Sequence, residues 1–131
     1  MKVIHVSGKR KSAVARATLK PGAGVVRINS KLLETITPKI YQMRMKEPLK
    51  IAGDSAINVN IDVSVKGGGV ASQADAARLA IARALVALDN NLQKSFLEYD
   101  RTLLIADIRR KETRKPNCHG KARSKRQKSY R

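Results

Sequence analysis

The basic C-terminal segment 109–131 is the part of the chain whose residues most clearly carry a chemistry. It holds eleven of the 28 Lys and Arg residues but only one of the 10 acidic residues, Glu112. Ammonium and guanidinium groups at this density bind phosphate, and an anionic polymer presents phosphate on several sides at once. The segment has too few apolar side chains to offset its ordering entropy. We therefore expect an extended polyanion-binding tail that is disordered without its partner.

A second basic cluster lies near the N-terminus. Lys9, Arg10 and Lys11 join two predicted strands, and Arg16 and Arg27 lie on strands beyond them. We expect these five side chains to concentrate charge at the end of the hairpin, which favours contact with phosphate over simple solvation. Single exposed ammonium groups are normally only solvated, so isolated lysines are assigned no role. These are Lys2, Lys20, Lys39 and Lys94.

Two further motifs have simpler explanations than catalysis or ligand binding. The triple glycine 67–69 precedes a predicted helix, where a phosphate loop would lie, but the Gly-Lys-Ser/Thr of such a loop is missing. A tight turn with close helix packing explains it better. Cys118 and His119 are too few for zinc, and the only other histidine, His5, is far away in sequence.

The aspartates are scattered without paired spacing, so the sequence predicts no catalytic site, no cofactor and no metal. An enzyme that uses the triple glycine is the weakest of three functional hypotheses. A general nucleic-acid-condensing or chromatin protein is the stronger alternative, because the charge of +18 alone permits it. The favoured hypothesis is a protein that binds folded RNA.

The choice of RNA follows from what the basic segments lack. Binding to an anionic membrane needs a basic helix with bulky apolar residues opposite the charges, and Pro116 and Gly120 interrupt the tail. The three Tyr and one Phe are too few for stacking on single-stranded bases. We expect recognition of phosphates, 2′-hydroxyls and RNA shape.

The cellular compartment is predicted from the cysteine and from the hydropathy pattern. The single cysteine, Cys118, permits no internal disulfide, and the N-terminus lacks the apolar stretch of a signal peptide. No apolar stretch is long enough to span a membrane. We therefore expect a cytoplasmic protein without a membrane partner. No homo-oligomer is expected.

Residues 1–108 have enough aliphatic side chains for one α+β domain. The pattern predicts strands over 2–7, 12–19 and 25–28 in meander order, with 21–24 as the second hairpin turn. A helix capped by Thr37 should begin at Pro38 and end by Pro48.

Residues 57–66 alternate between apolar and polar, as in a strand with one wet face. A helix over 72–89 should open with a capping box between Ser72 and Asp75, and its apolar stripe should leave Arg78 and Arg83 outside. A shorter helix is predicted over 92–99. The fold class is a two-layer β3-α-β-α arrangement, with helices on one face of a four-stranded sheet.

Several long motifs resemble the universal small-subunit ribosomal protein nine family. They are GKRKSAVARATLKPGAG at 8–24, KGGGVASQADAARLAIARALV at 66–86 and QKSYR at 127–131. The C-terminal ending and LLIADIRRKE at 103–112 are similar to the archaeal and eukaryotic branch.

The resemblance implies a structural constituent of the head of the small ribosomal subunit. Its expected partners are small-subunit ribosomal RNA, neighbouring proteins of the head and, through the tail, P-site transfer RNA. It also implies a fold like the second domain of ribosomal protein five, with a left-handed βαβ crossover. The expected transfer-RNA-binding residues are Lys128, Ser129, Tyr130 and Arg131.

The residues expected to bind ribosomal RNA combine the two basic regions. They are Lys9, Arg10, Lys11, Arg16, Arg27, Arg109, Arg110, Lys111, Arg114, Lys115, Lys121, Arg123, Lys125 and Arg126.

Overall fold

Five strands and four helices occur in residues 2–124 and 130, which are the residues that a computed structural model describes. The strands are β1 (Ile4–Arg10), β2 (Ala13–Pro21), β3 (Val26–Ile28), β4 (Lys31–Leu32) and β5 (Val59–Lys66). The helices are α1 (Lys39–Ala52), α2 (Asp54–Ile57), α3 (Val70–Leu88) and α4 (Leu92–Tyr99). Single 3-10 turns lie at Leu33–Thr35 and Arg101–Leu103. Residues 104–124 contain no helix or strand.

The strands form one sheet in the order β1-β2-β5-β3-β4, so the predicted meander is wrong. β5 lies between β2 and β3, antiparallel to the former and parallel to the latter. The eight residues of β5 pair along almost all of β2, whereas β3 has only three residues. The side-chain oxygen of Asn60 accepts hydrogen bonds from the N–H groups of Ala23 and Val25, both at 3.0 Å. These contacts hold segment 21–25 where it crosses β5, so β2 and β3 do not form a hairpin.

The sheet has five strands and not the predicted four. Asn29 and Ser30 have positive φ angles of 48° and 69°, as the central residues of a tight hairpin turn require. The chain therefore returns as β4, which pairs with β3 at two positions. A two-residue strand is too short to show an alternating pattern in the sequence.

The layers are as predicted, with an α+β arrangement in which one face of the sheet is covered by helix. Odd-numbered residues of β5 are buried and most even-numbered ones are exposed. The buried face contacts α3, and α1 and α4 pack on α3. We call the uncovered side the open face of the sheet.

Alanines make the contact between α3 and the sheet unusually close. Ala13, Ala15 and Ala17 of β2 are buried against a helix that has six buried alanines of its own. At Gly8 of β1, a Cβ atom would lie only 2.5 Å from the carbonyl oxygen of Ala76. Because these side chains are small, neighbouring elements approach α3 closely. More residues of the helix are therefore buried than the predicted apolar stripe contains.

The helix boundaries partly differ from the prediction. Pro38 is the residue before α1 and not its first, and the helix continues through Pro48 to Ala52. The buried ring of Pro48 contributes to the core, and the helix ends where Gly53 adopts a φ of 53°. α4 has the predicted bounds.

The start of β5 and the start of α3 also differ from the prediction. Ile57 belongs to α2 and is 60% exposed, so the strand begins at Val59. The capping box is wrong because α3 begins at Val70, and Gly69 is the residue that precedes it. Instead, the side-chain amide of Gln73 donates a hydrogen bond to the carbonyl oxygen of Gly67.

Among the described helices, none combines the length and the apolar character that crossing a membrane would need.

Candidate nucleic-acid interface

The structure brings the N-terminal basic cluster and the start of the C-terminal segment together. Lys9 and Lys11 lie at the tip of the β1–β2 hairpin, where the chain turns at Lys11 with a φ of 52°. Arg109, Arg110 and Lys111 lie beside them, although they are far away in sequence. Together with Ser12 these residues line a groove of about 620 Å³, which we call the tip groove. Its five cationic side chains belong to exposed residues and can surround a phosphate.

Arg10 is the member of the N-terminal basic cluster whose charge is already engaged within the protein. Because side chains alternate along β1, Arg10 points to the helical side, unlike Lys9. Its Nη1 atom lies 2.7 Å from Oδ2 of Asp107, and its Nε atom lies 3.7 Å from Oδ2 of Asp75. The contact with Asp107 is a close ion pair that lacks the angles of a hydrogen bond.

Arg16 and Arg27 do not lie at the hairpin end, which corrects the predicted position. Arg16 stands opposite Ser7 and Ser64 in the middle of the open face, and Arg27 stands opposite Asp62. The insertion of β5 separates their strands, so the two arginines flank this strand. They line a shallow depression of about 650 Å³.

The open face also offers hydroxyl groups that the prediction missed. Thr18, Ser30 and Ser64 line the same depression as the two arginines. Hydroxyls can donate to or accept from a ribose 2′-hydroxyl, while guanidinium groups bind phosphate. The polar, even-numbered residues of β5 are the sequence feature that could have indicated this surface. Lys20, which was assigned no role, is exposed on the same face.

Asp107 contacts Arg109 of the tip groove, and its carboxylate stays ionised at neutral pH. Hydrogen bonds from the side chain and then the backbone N–H of Arg109 lower the pKa of Asp107 to about 2, with a further contribution from the charge of Arg10. The same contact raises the pKa of Arg109. The carboxylate is therefore a fixed negative charge at the junction of the body and the C-terminal segment.

Arg78 and Arg83 lie outside the apolar stripe as predicted, but they are used within the fold. Nη2 of Arg78 contacts Glu47 at 2.5 Å and Asp100 at 2.9 Å, which joins α1 and α3 to the turn after α4. Burial raises the pKa of Asp100, but hydrogen bonds from Thr102 and Arg78 outweigh this effect and lower it. Arg83 donates to two backbone carbonyl groups. Both guanidinium groups thus stabilise the domain.

The described part of the tail contains a loop closed by its own contacts. Arg123 forms an ion pair with Glu112, and the hydrogen bonds of this pair lower the pKa of Glu112. The backbone N–H of Lys115 donates to the carbonyl oxygen of Lys121 at 3.2 Å. The other predicted RNA-binding residues of this segment are exposed. They are Arg110, Lys111, Arg114, Lys115 and Lys121.

Five predicted binding residues fall outside the residues that the structure describes. They are Lys125, Arg126, Lys128, Ser129 and Arg131. Tyr130 is described and is 86% exposed.

The tight turn predicted for the triple glycine is present, but its close contacts are with the β1–β2 hairpin tip and not with α3. Gly67 and Gly68 have φ angles of 77° and 68°, which residues with a side chain rarely adopt. A Cβ atom at Gly67 would lie 2.7 Å from the carbonyl oxygen of Ser12. The glycines therefore allow the β5–α3 turn to pack against the hairpin tip.

Within residues 2–124 and 130, no three His, Cys, Asp or Glu side chains lie close enough together to hold a metal ion.

Comparisons with known proteins agree on one family. A family model described as ribosomal protein S9/S16 matches residues 8–131. A protein of Methanococcus maripaludis strain S2, named small ribosomal subunit protein uS9, is 50% identical over 134 aligned residues that cover 100% of both chains. A protein of the same name from Methanococcus vannielii is 48% identical over the same coverage.

Proposed function

The chain belongs to the ribosomal protein S9/S16 family, and from this premise we propose that it binds small-subunit ribosomal RNA through the tip groove and the open face. Membership makes it a structural, non-enzymatic protein of the small ribosomal subunit that acts in translation. The observation that carries the RNA proposal is the convergence of Lys9 and Lys11 with Arg109, Arg110 and Lys111. Charges from two distant parts of the sequence share one groove.

The groove and the open face suit different parts of an RNA backbone. The tip groove offers five cationic side chains at short range, which neutralise phosphates where strands crowd and release their counterions. The open face offers Arg16 and Arg27 for phosphates and three hydroxyl groups for ribose. This combination reads the shape of folded RNA and carries little base specificity.

The remaining details are proposals that rest on the family. Residues 1–108 form the RNA-binding domain, whose last buried residue in the described chain is Leu103, and 109–131 form an extended basic tail that RNA orders. The domain sits in the subunit head beside neighbouring ribosomal proteins, in the cytoplasm. The parallel β3 and β5, joined through α1, supply the crossover of a fold like the second domain of ribosomal protein five.

The experiment for RNA binding compares two variants of equal charge. In one, Lys9, Lys11 and Lys111 are replaced by Gln, and in the other, Lys39, Lys50 and Lys94, which are exposed on α1 and α4, are replaced in the same way. Each lost phosphate contact lowers the slope of log affinity against log salt by about one. We expect the groove variant to bind small-subunit ribosomal RNA more weakly and to show a smaller salt slope. The control variant should keep its affinity and its salt slope.

Equal losses in the two variants would show that net charge alone drives binding, as in a general nucleic-acid-condensing protein. Competition with duplex DNA then separates the two functions. An excess of DNA should displace a condensing protein, whereas binding to folded RNA should persist.

For transfer RNA, we propose that Lys128, Ser129, Tyr130 and Arg131 reach the P-site anticodon stem-loop. A guanidinium group at the chain end can bind phosphate in two hydrogen bonds. Deletion of Arg131 should leave subunit assembly intact and speed the dissociation of P-site transfer RNA from reconstituted subunits. An unchanged dissociation rate would refute this role.

A further inference from the structure

Asp107 lies beside the tip groove, and we infer that it is a positioning residue that fixes the direction in which the basic tail leaves the body. It thereby places Arg109, Arg110 and Lys111 opposite Lys9 and Lys11. This inference rests on the proposed function, because the groove that Asp107 assembles is the proposed site for RNA phosphates.

The Asp107 carboxylate contacts the body and the tail at the same time. Its Oδ2 atom lies 2.7 Å from Nη1 of Arg10, the last residue of β1. Its Oδ1 atom accepts the backbone N–H of Arg109 at 2.8 Å, and its Oδ2 atom accepts from Nη2 of Arg109 at the same distance. The Asp107 side chain is 18% exposed, so these contacts are partly shielded from solvent.

A second contact fastens the chain three residues earlier. Arg83 of α3 donates from Nε to the carbonyl oxygen of Leu104 at 3.0 Å and from Nη1 to that of Ser7 at 2.9 Å. Ser7 and Arg10 both belong to β1, so the chain is linked to this strand at Leu104 and again at Asp107. The segment between these points must run along the edge of the sheet toward the hairpin tip.

The body side of the contact is itself held in place. Arg10 also lies 3.7 Å from Asp75 of α3, and Asp75 accepts a hydrogen bond from Arg44 of α1 at 3.2 Å. On the tail side, Ile108 is 90% exposed and gives no apolar anchor. Polar contacts of Asp107 are therefore what fixes the exit of the chain.

The charge of Asp107 makes the inference testable by the sign of an effect. A carboxylate beside a phosphate-binding groove repels phosphate, so its removal should strengthen RNA binding if charge alone matters. If Asp107 positions the groove, its removal should weaken binding although the net charge becomes more positive.

The test replaces Asp107 with Asn in the full chain and measures affinity for small-subunit ribosomal RNA. We expect a loss of roughly three- to tenfold, within the range for residues coupled in one ion-pair network. Asp54→Asn is the matched control, because it makes the same charge change at an exposed residue of α2 that lines neither the tip groove nor the depression of the open face, and the described residues show no ion pair to Asp54. It should bind as tightly as the natural protein or more tightly.

A distance measurement keeps the test independent of affinity. Spin labels are placed on Ser95→Cys of α4 and Thr113→Cys of the tail, both exposed positions, in a Cys118→Ser background. Asp107→Asn should broaden the distance distribution between the labels. Arg10→Gln, which removes the partner on the body, should broaden it as well.

The inference is overturned if Asp107→Asn binds RNA as tightly as the natural protein, or if both variants leave the distances unchanged. Its failure differs from failure of the proposed function. If the Lys9, Lys11 and Lys111 variant loses affinity but Asp107→Asn does not, only the positioning role is wrong. If the lysine variant also keeps its affinity, the groove is not the RNA site.

Discussion

The charged residues of this protein divide into those that hold the fold and those that face outward. Arg10, Arg78 and Arg83 are occupied by carboxylates or backbone carbonyls. Lys9 and Lys11 are exposed beside Arg10 in sequence. Composition counts all of these as equal cations, so the sequence could predict the basic clusters but not which members are free for phosphate. Strand alternation distinguishes Lys9 from Arg10, and contacts with acids or backbone carbonyls distinguish Arg78 and Arg83 from the free cations.

Small residues decide how closely β1 approaches α3, and Gly8 is where the approach is closest. Gly8→Ala would place a Cβ atom 2.5 Å from the carbonyl oxygen of Ala76 and 2.8 Å from the backbone nitrogen of Ala80. Backbone atoms cannot move away as the end of a side chain can. We predict a loss of about 1–3 kcal/mol in the free energy of unfolding, measured by denaturant titration of the full chain.

Gly69→Ser is the control for this prediction. A Cβ atom there has no neighbour within 4 Å, and Ser is a favourable residue immediately before a helix. It should leave stability unchanged or raise it slightly. Equal destabilisation by both variants would contradict the close-contact explanation at Gly8.

At the scale of the elements, long periodic segments were predictable and their arrangement was not. The alternation in β5 and the apolar stripe of α3 lie in the sequence itself, and α4 has the predicted bounds. The strand order depends on pairing between distant segments. The side chain of Asn60, which holds the crossing segment 23–25, gives no sequence signal for this role.

The element boundaries failed where a local rule was outweighed by packing. A proline normally ends a helix. The ring of Pro48 is instead buried in the core, and α1 continues beyond it. The two-residue strand β4, which follows the turn at Asn29 and Ser30, is too short to show a pattern in the sequence. The insertion of β5 also moved Arg16 and Arg27 from the predicted hairpin end to the open face.

At the scale of the whole molecule, two basic segments from opposite ends of the chain form one surface. The sequence predicted each segment and a shared affinity for phosphate, but only the fold shows that the segments meet at the tip groove. Asp107 holds their junction through its contacts with Arg10 and Arg109. This meeting is central to the proposed function, because it joins the domain and the tail into one surface that we propose binds RNA.

Crosslinking from both sides of the groove tests this claim most directly. A photoreactive amino acid is introduced at Lys11 or at Arg110 in separate variants, each is bound to small-subunit ribosomal RNA, and the crosslinked nucleotides are mapped by sequencing. A third variant with the crosslinker at Lys94, on α4, serves as the control. We predict that positions 11 and 110 crosslink to the same short stretch of RNA backbone, whereas position 94 does not. Crosslinks from 11 and 110 to remote regions of the RNA would contradict the shared groove.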